Sequence, residues 1–566
     1  MFNAPSGLQN NLPAWFSHDD SNTPLRIPTL PCLFWLCLLA SGKAPQTEPA
    51  PKAEPGHRIT AVIHDGSQLV LSLRVGKGRI RINEFGPQNA PGAKGEKVID
   101  RDFSEDDSVQ ARGSQSLDLR IPSAGHSFNG FAVVDDKDQP VQPLQYVSQW
   151  WKGQKDPDHG LPPVEKGAVK GLQVQMIDDA IDLGVRHAAL NLNLASLVRI
   201  PANPGDKTIT IDGQTLGFRS EVLAGMQVDR MTEKNIRVYL IILAYRSGNP
   251  KIDSLLLHPA MAADAPNRLG AFNTATADGV KVYSWLLENI DDYFSARTSI
   301  NNQKATPIAG WIIGNEVNAH HEWYNRGPAT PEQVVGDYHR ALRIAHSVLR
   351  SSGSPGRIYV SLEHHWTVLP NANPKQSLPG REFLERLLEL CRKHGNFDWH
   401  LAYHPYPSNL FEPRSWLDKD ALPTLETPKI TFKNLEQLAL WTELPKSRID
   451  GKPRRIILSE QGFHSPPGVE GEKRQAAGFV FAWKKVRSLA QIDAFILHRH
   501  VDHAIEGGLN LGLWTNKAGQ ICTPDQKKAI WPVFQAAGTP AEALAFDPFR
   551  AVMGEKVWQS VEPKKP

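Results

Sequence analysis

The sequence predicts an α/β protein: a (β/α)8 TIM barrel preceded by a small all-β, sandwich-like domain. Three observations carry this. From about residue 165, short apolar runs alternate eight times with amphipathic segments of helical length. Between about 58 and 146 there are only short alternating runs, bounded by Gly, Asp, Asn or Pro, with no helical period. The 566 residues leave room for both, since a barrel alone needs roughly 250.

In chain order, the run Thr29–Ala40 (TLPCLFWLCLLA) is too short to span a bilayer. It fits the apolar region of a secretory signal, with small residues following it. Residues 1–44 are therefore expected to be a signal region and the protein exported, periplasmic or extracellular, with no membrane insertion after signal removal. Residues 45–56, rich in Pro, Ala and charge, read as a linker. Residues 57–147 form the β domain, with strands expected at ITAVIH, LVLSLRV, RIRINEF, LDLRIP and GFAVVDD. The barrel is placed at 148–540, with strands at 168–175, 185–192, 236–245, 308–315, 358–365, 398–405, 455–461 and 494–500. Thr330-Pro331-Glu332-Gln333 carries the signature of a capping box with Pro at the first helical position. Other helices are expected at 176–183, 277–296, 381–394, 434–444, 471–489 and 525–536. Residues 541–566 are read as a tail.

Composition excludes several functions. Lys plus Arg number 63 against 60 Asp plus Glu, and that near-balance of +3 argues against a dedicated nucleic-acid or polybasic membrane binder. Four cysteines with no CxxC pair rule out a disulfide scaffold or a structural zinc module. No Walker-type loop, GxGxxG after a strand or GxSxG elbow occurs.

In a barrel the chemistry projects from the C-terminal strand ends. Strand two ends in Asn191 and Asn193, strand three in Tyr245 and Arg246, and strand four in Asn315 and Glu316. Strand five gives Glu363, His364, His365 and Trp366; strand six His404 and Tyr406; strand seven Glu460; strand eight His498, His500 and Asp502. A carboxylate closing a run as apolar as GWIIGNE or RIILSEQ is costly unless paired. Glu316 and Glu460 face each other from opposite sides of the barrel mouth, so they can approach one bond from two directions. Trp323, Trp366, Trp416 and Trp514 fall in loops on the same face, beside His320, His321 and Tyr324, and are candidate subsite walls.

The stretches GWIIGNEV (310–317) and IILSEQGF (456–463), with His404-Pro405-Tyr406 ending strand six, resemble the clan A retaining glycoside hydrolases. The resemblance covers roughly 165–540. It implies Glu316 as acid/base, Glu460 as nucleophile, Asn315 as a hydrogen-bond partner of a sugar 2-hydroxyl and Tyr406 as support for Glu460. It implies a β-linked oligo- or polysaccharide as substrate and no cofactor. His404, Asn193, His365, Trp366, Trp323, His500 and Trp514 are the remaining substrate-binding candidates. Two other readings stay open. One is a metal-dependent barrel hydrolase using His365, His404 and Asp502, although strand one (KGLQVQ) lacks a His-x-His and strand four a bridging Lys. The other is a non-catalytic carbohydrate-binding barrel.

Overall fold

The computed structural model describes residues 57–75, 78–89, 93–103, 116–123, 125–150, 160–296 and 307–562. The expected signal region and linker (1–56) lie outside the described residues. Among those described, no helix is long and apolar enough to cross a membrane.

Among the described residues the β domain holds seven strands: β1 (Arg58–Asp65), β2 (Gln68–Arg74), β3 (Gly78–Phe85), β4 (Glu96–Phe103), β5 (Ser116–Pro122), β6 (Gly130–Val133) and β7 (Gln149–Trp150). They form two sheets, ordered β5-β2-β1-β7 and β4-β3-β6. Val62, Leu71, Leu73, Ile80, Ile82 and Phe131 fill the space between them, each fully buried. This is the sandwich that alternating runs require. Two strands escaped the sequence reading. β4 (EKVIDRDF) is too charged to show an apolar rhythm, and β7 is two residues long and carries the sandwich to Trp150, past the expected boundary at 147.

Eight parallel strands close the barrel: β8 (Lys170–Gln173), β9 (His187–Asn193), β13 (Arg237–Leu243), β14 (Gly310–Ile313), β15 (Arg357–Glu363), β16 (Trp399–His404), β17 (Ile456–Leu458) and β18 (Ile492–Leu497), with β18 pairing back onto β8. Every expected barrel strand is present. Between β9 and β13 lies a small antiparallel sheet of β10 (Val198–Arg199), β11 (Thr208–Ile211) and β12 (Gln214–Phe218). Inside the barrel, Ala189, Tyr239, Ile241, Ile312, Tyr359, Ala402, Ile457 and Ile496 form a packed core rather than a pore. Gly310 is needed there: a Cβ would sit 2.5 Å from the Tyr239 ring and 2.7 Å from that of Tyr359. A second, larger apolar layer joins the outer strand faces to the helices.

The helix Pro331–Ser351 carries the expected capping box, formed by Thr330 and Gln333. The helix also fastens the two domains together. Arg343 is buried, donates to the Val147 carbonyl at 3.3 Å and to that of Gly395, and lies 4.9 Å from the Tyr146 ring and 4.5 Å from that of Phe397. The His394 Nδ1–H donates to the Leu144 carbonyl at 2.8 Å beside it.

The helix expected at 525–536 is split: Pro524–Lys527 pairs as strand β20 with β19 (Trp514–Asn516), and the helix proper is Ile530–Ala536. Residues read as a tail form three short helices, Glu542–Phe546, Pro548–Met553 and Glu555–Val561. Phe546, Phe549, Met553, Trp558 and Val561 are buried in the same apolar layer as the helix Val469–Arg487.

Candidate active site

Glu316 follows β14 by three residues and turns inward on a backbone with φ +40°, just after Gly314 at φ +77°. Its amide donates to Ser361 Oγ on β15 at 3.0 Å, and its Oε1 lies 2.8 Å from His404 Nδ1 at the end of β16. The other face of that imidazole meets Ser459 Oγ at 3.0 Å and Ser361 Oγ at 3.4 Å. Two serine hydroxyls can satisfy Nε2 as an acceptor, leaving Nδ1–H to donate to Glu316. Glu460 follows β17. Tyr406 donates its hydroxyl to Oε1 at 3.2 Å, and Gln173, ending β8, donates its amide to Oε2 at 3.2 Å.

These elements bring together one carboxylate oxygen of Glu316, a ring nitrogen of His404 and one carboxylate oxygen of Glu460, all within 4.8 Å of one another. The two carboxyls are pushed in opposite directions. Burial raises Glu316, and the neighbouring Glu460 and Glu363 charges add to it, outweighing the pull of His404. Burial also opposes ionisation of Glu460, but His498, His404 and the Gln173 donor prevail and hold it below the usual range. His404 itself is raised: burial works against its charge, and Glu316, Glu460 and Glu363 overcome that. The arrangement thus sets two neighbouring carboxyls apart, Glu316 the weaker acid and Glu460 the stronger.

Behind this pair stands Glu363, which accepts from Asn318 Nδ2 at 2.6 Å and the His365 amide at 3.0 Å, and bonds the His365 ring. Burial alone would raise it, yet His365 draws it down to about 2. Its environment is that of a permanent anion.

Of the other expected site residues, Asn315 is half-buried beside Glu316 and Trp323 stands 38% exposed on the short helix His320–Trp323. Asn193 spends its Oδ1 on the amides of Ala195 and Tyr245, both at 3.1 Å, bracing the loops after β9 and β13. Two assignments need correction. Trp366 is fully buried, donates to the Leu425 carbonyl at 3.0 Å and meets Trp441 edge-on, because the chain leaving β15 turns back into the helical shell. His500 is also fully buried: its Nδ1 accepts from the Gln175 and Met176 amides at 3.2 and 3.3 Å, and its Nε2 meets Asp179 at 2.8 Å. It ties the strand-eight loop to the first barrel helix instead of facing the mouth. Trp514 is drawn to the same carboxylate, donating to Asp179 at 2.9 Å. Tyr324 and His320 are buried too, and Trp416 packs on Phe481. Replacing Trp366 with Ala should therefore cost about 3–5 kcal/mol in a denaturant melt, the loss of a filled core site, while leaving KM unchanged.

The trio His365, His404 and Asp502 is not assembled. Asp502 is taken by Lys528 at 3.1 Å and the Gly512 amide at 2.6 Å. Among the described residues, clusters with metal-ligand spacing are Glu363-His364-His365 and Glu316-His404-Glu460. In the first, Glu363 is already committed to three donor groups, which leaves little lone-pair capacity for an ion.

The sequence reading missed Gln173, Ser361, Ser459 and Glu506. Gln173 ends a barrel strand as surely as Glu316 follows one, so the strand-end rule applied to KGLQ would have found it.

Fold and site together define the class: a (β/α)8-barrel protein with paired carboxylates across its mouth. The chain belongs to the family described as a family of unknown function (DUF5722), which matches residues 162–561. No curated protein matches the chain in sequence. Solved structures similar to it include a family 39 glycoside hydrolase from the gut symbiont Bacteroides cellulosilyticus WH2, at 12% identity over 86% of this chain and 83% of that chain, with a TM-score of 0.41. A family 39 β-xylosidase from Caulobacter crescentus is similar at 11% identity over 67% of this chain and 73% of that one, TM-score 0.40. A family 1 β-glucosidase from Thermotoga maritima is similar at 12% over 64% and 84%, TM-score 0.39. At these identities and scores the likenesses carry no argument about activity.

Proposed function

We propose that the protein is a retaining glycoside hydrolase that cleaves a β-linked oligo- or polysaccharide by double displacement. The observation that carries this is the carboxyl pair: oxygens of Glu316 and Glu460 lie within 4.8 Å. Retaining enzymes hold their carboxyls at about 5–5.5 Å, whereas inverting enzymes need roughly 6.5–9.5 Å to admit a water.

In the first step Glu460 attacks the anomeric carbon while Glu316 gives its proton to the departing oxygen. His404 occupies Glu316 Oε1, so the transferable proton belongs on the other oxygen. Esterification then removes the Glu460 charge, one of the groups that raises Glu316. Glu316 consequently becomes a stronger acid once it has lost its proton, and it stays ionised to deprotonate the incoming water. Water attacks the anomeric carbon, the ester C–O electrons return to Glu460, and the proton returns to Glu316.

The pH dependence follows. Activity requires Glu460 ionised and Glu316 protonated. kcat/KM should rise on an acidic limb below the ordinary glutamate range, as Glu460 loses its proton. It should fall on a basic limb above that range, as Glu316 loses its own. A pH–rate profile with an aryl glycoside checks both limbs.

The deciding experiment is a panel of 2-deoxy-2-fluoro glycosyl inhibitors followed by peptide mass spectrometry. Covalent label on Glu460 is expected, and label on another residue, or none together with no turnover across a broad glycan panel, would reject the reading.

A further inference from the structure

Glu460 is not held by Tyr406 alone. A continuous chain of hydrogen bonds runs away from it: Gln173 Nε2 to Glu460 Oε2 at 3.2 Å, Gln173 Oε1 to His498 Nδ1 at 2.7 Å, and His498 Nε2 to Glu506 Oε1 at 2.7 Å. The polarity of this chain is fixed by chemistry. Gln173 Nε2 faces two groups that only accept, the Glu460 carboxylate and the Ser459 carbonyl at 3.4 Å, so it must be the donor end of the amide. Its carbonyl oxygen then faces His498 and can only accept, which requires a proton on Nδ1. The other ring nitrogen faces a carboxylate, which requires a proton on Nε2. Both nitrogens donate, so His498 is an imidazolium.

We propose that Glu506, His498 and Gln173 form a relay of positioning residues that orients the nucleophile and places a fixed positive charge behind it. This rests on the glycosidase reading for its catalytic part only. Glu506 is suited to anchor the relay. Burial would raise it, but His498 and Arg499, whose guanidinium reaches Oε2 at 3.0 Å, bring it down to about 2. One anion between two cations leaves the cluster net positive on the side facing Glu460. The other groups acting on Glu460 are His404, Glu316, Tyr406, Tyr245 and Glu506, whose own charge raises Glu460 but by less than His498 lowers it; those beside His498 are Gln173, Glu506, Arg499 and His503. Among them, the imidazolium opposes burial of the Glu460 charge most directly. Its consequence falls on the second half-reaction as well. When the sugar–Glu460 ester C–O bond breaks, its electron pair returns to a carboxylate that the relay already stabilises, which makes Glu460 a better leaving group.

The test uses full-length protein labelled with [15N]histidine, observed by two-bond proton–nitrogen correlation, with the His498 signals identified by their loss in His498→Gln. At one fixed pH, both ring nitrogens should be protonated in the wild-type protein, as the two acceptors facing them require. Glu506→Gln, an isosteric change, should return the ring to its neutral form at the same pH. In the same variant the acidic limb of kcat/KM should move up by about one unit while the basic limb stays in place. A neutral His498 in the wild-type protein overturns the proposal, and so does an unmoved acidic limb in an active Glu506→Gln enzyme. Wild-type protein that turns over no glycan, yet shows the doubly protonated ring, rejects the hydrolase reading and the catalytic part of the relay but upholds the cation.

Discussion

Glu460→Gln is expected to abolish retaining turnover. The change preserves shape and both neighbouring donors, so what is lost is the charge and the ability to form an ester. Deleting a covalent nucleophile costs on the order of 10⁶-fold in kcat, or about 8 kcal/mol at 1.36 kcal/mol per decade. No label from a fluoroglycoside should appear at position 460. Removing the charge also relieves Glu316 of a neighbour that raises it, so Glu316 should titrate lower in the variant. Carbon-13 spectra of labelled carboxyls read that shift independently of activity.

Glu316→Ala should behave differently. General acid catalysis contributes about 10²–10⁴-fold, and that loss should fall on substrates with poor leaving groups. Aryl glycosides whose leaving group needs no proton should still glycosylate Glu460 and then stall, because no base remains for the water. Azide, which needs no base and fits the space vacated by the carboxyl, should restore turnover and release a glycosyl azide of retained configuration. Equal losses in both variants, unrelieved by azide, would reject the assigned roles.

Much of this was legible in the sequence because barrel strands buried on both faces leave continuous apolar runs. The polar residues that terminate them have only one face of the barrel to occupy. Glu316, His404, Tyr406 and Glu460 were readable on that ground. Trp366 and His500 were misplaced for the complementary reason. Each lies within three residues of a strand end, and nothing local shows whether the loop next turns to the mouth or to the helical shell. Hydrogen-bonding partners far along the chain decide it, Leu425 for one and Asp179 for the other. β20 escaped because all four of its residues are exposed and leave no pattern to read. The relay was invisible for a subtler reason. Gln173 matters for the direction of its amide dipole, which only the positions of Glu460 and His498 can fix.

The backbone at Glu316 sits at φ +40°. A side chain bearing a Cβ pays roughly 1–2 kcal/mol to adopt that left-handed conformation, which glycine would take freely and asparagine more cheaply. Glu316 holds it nonetheless, its amide bonded to Ser361 Oγ and its carboxyl to His404 Nδ1, so contacts from two neighbouring strands offset the local strain and fix the carboxyl at the rim.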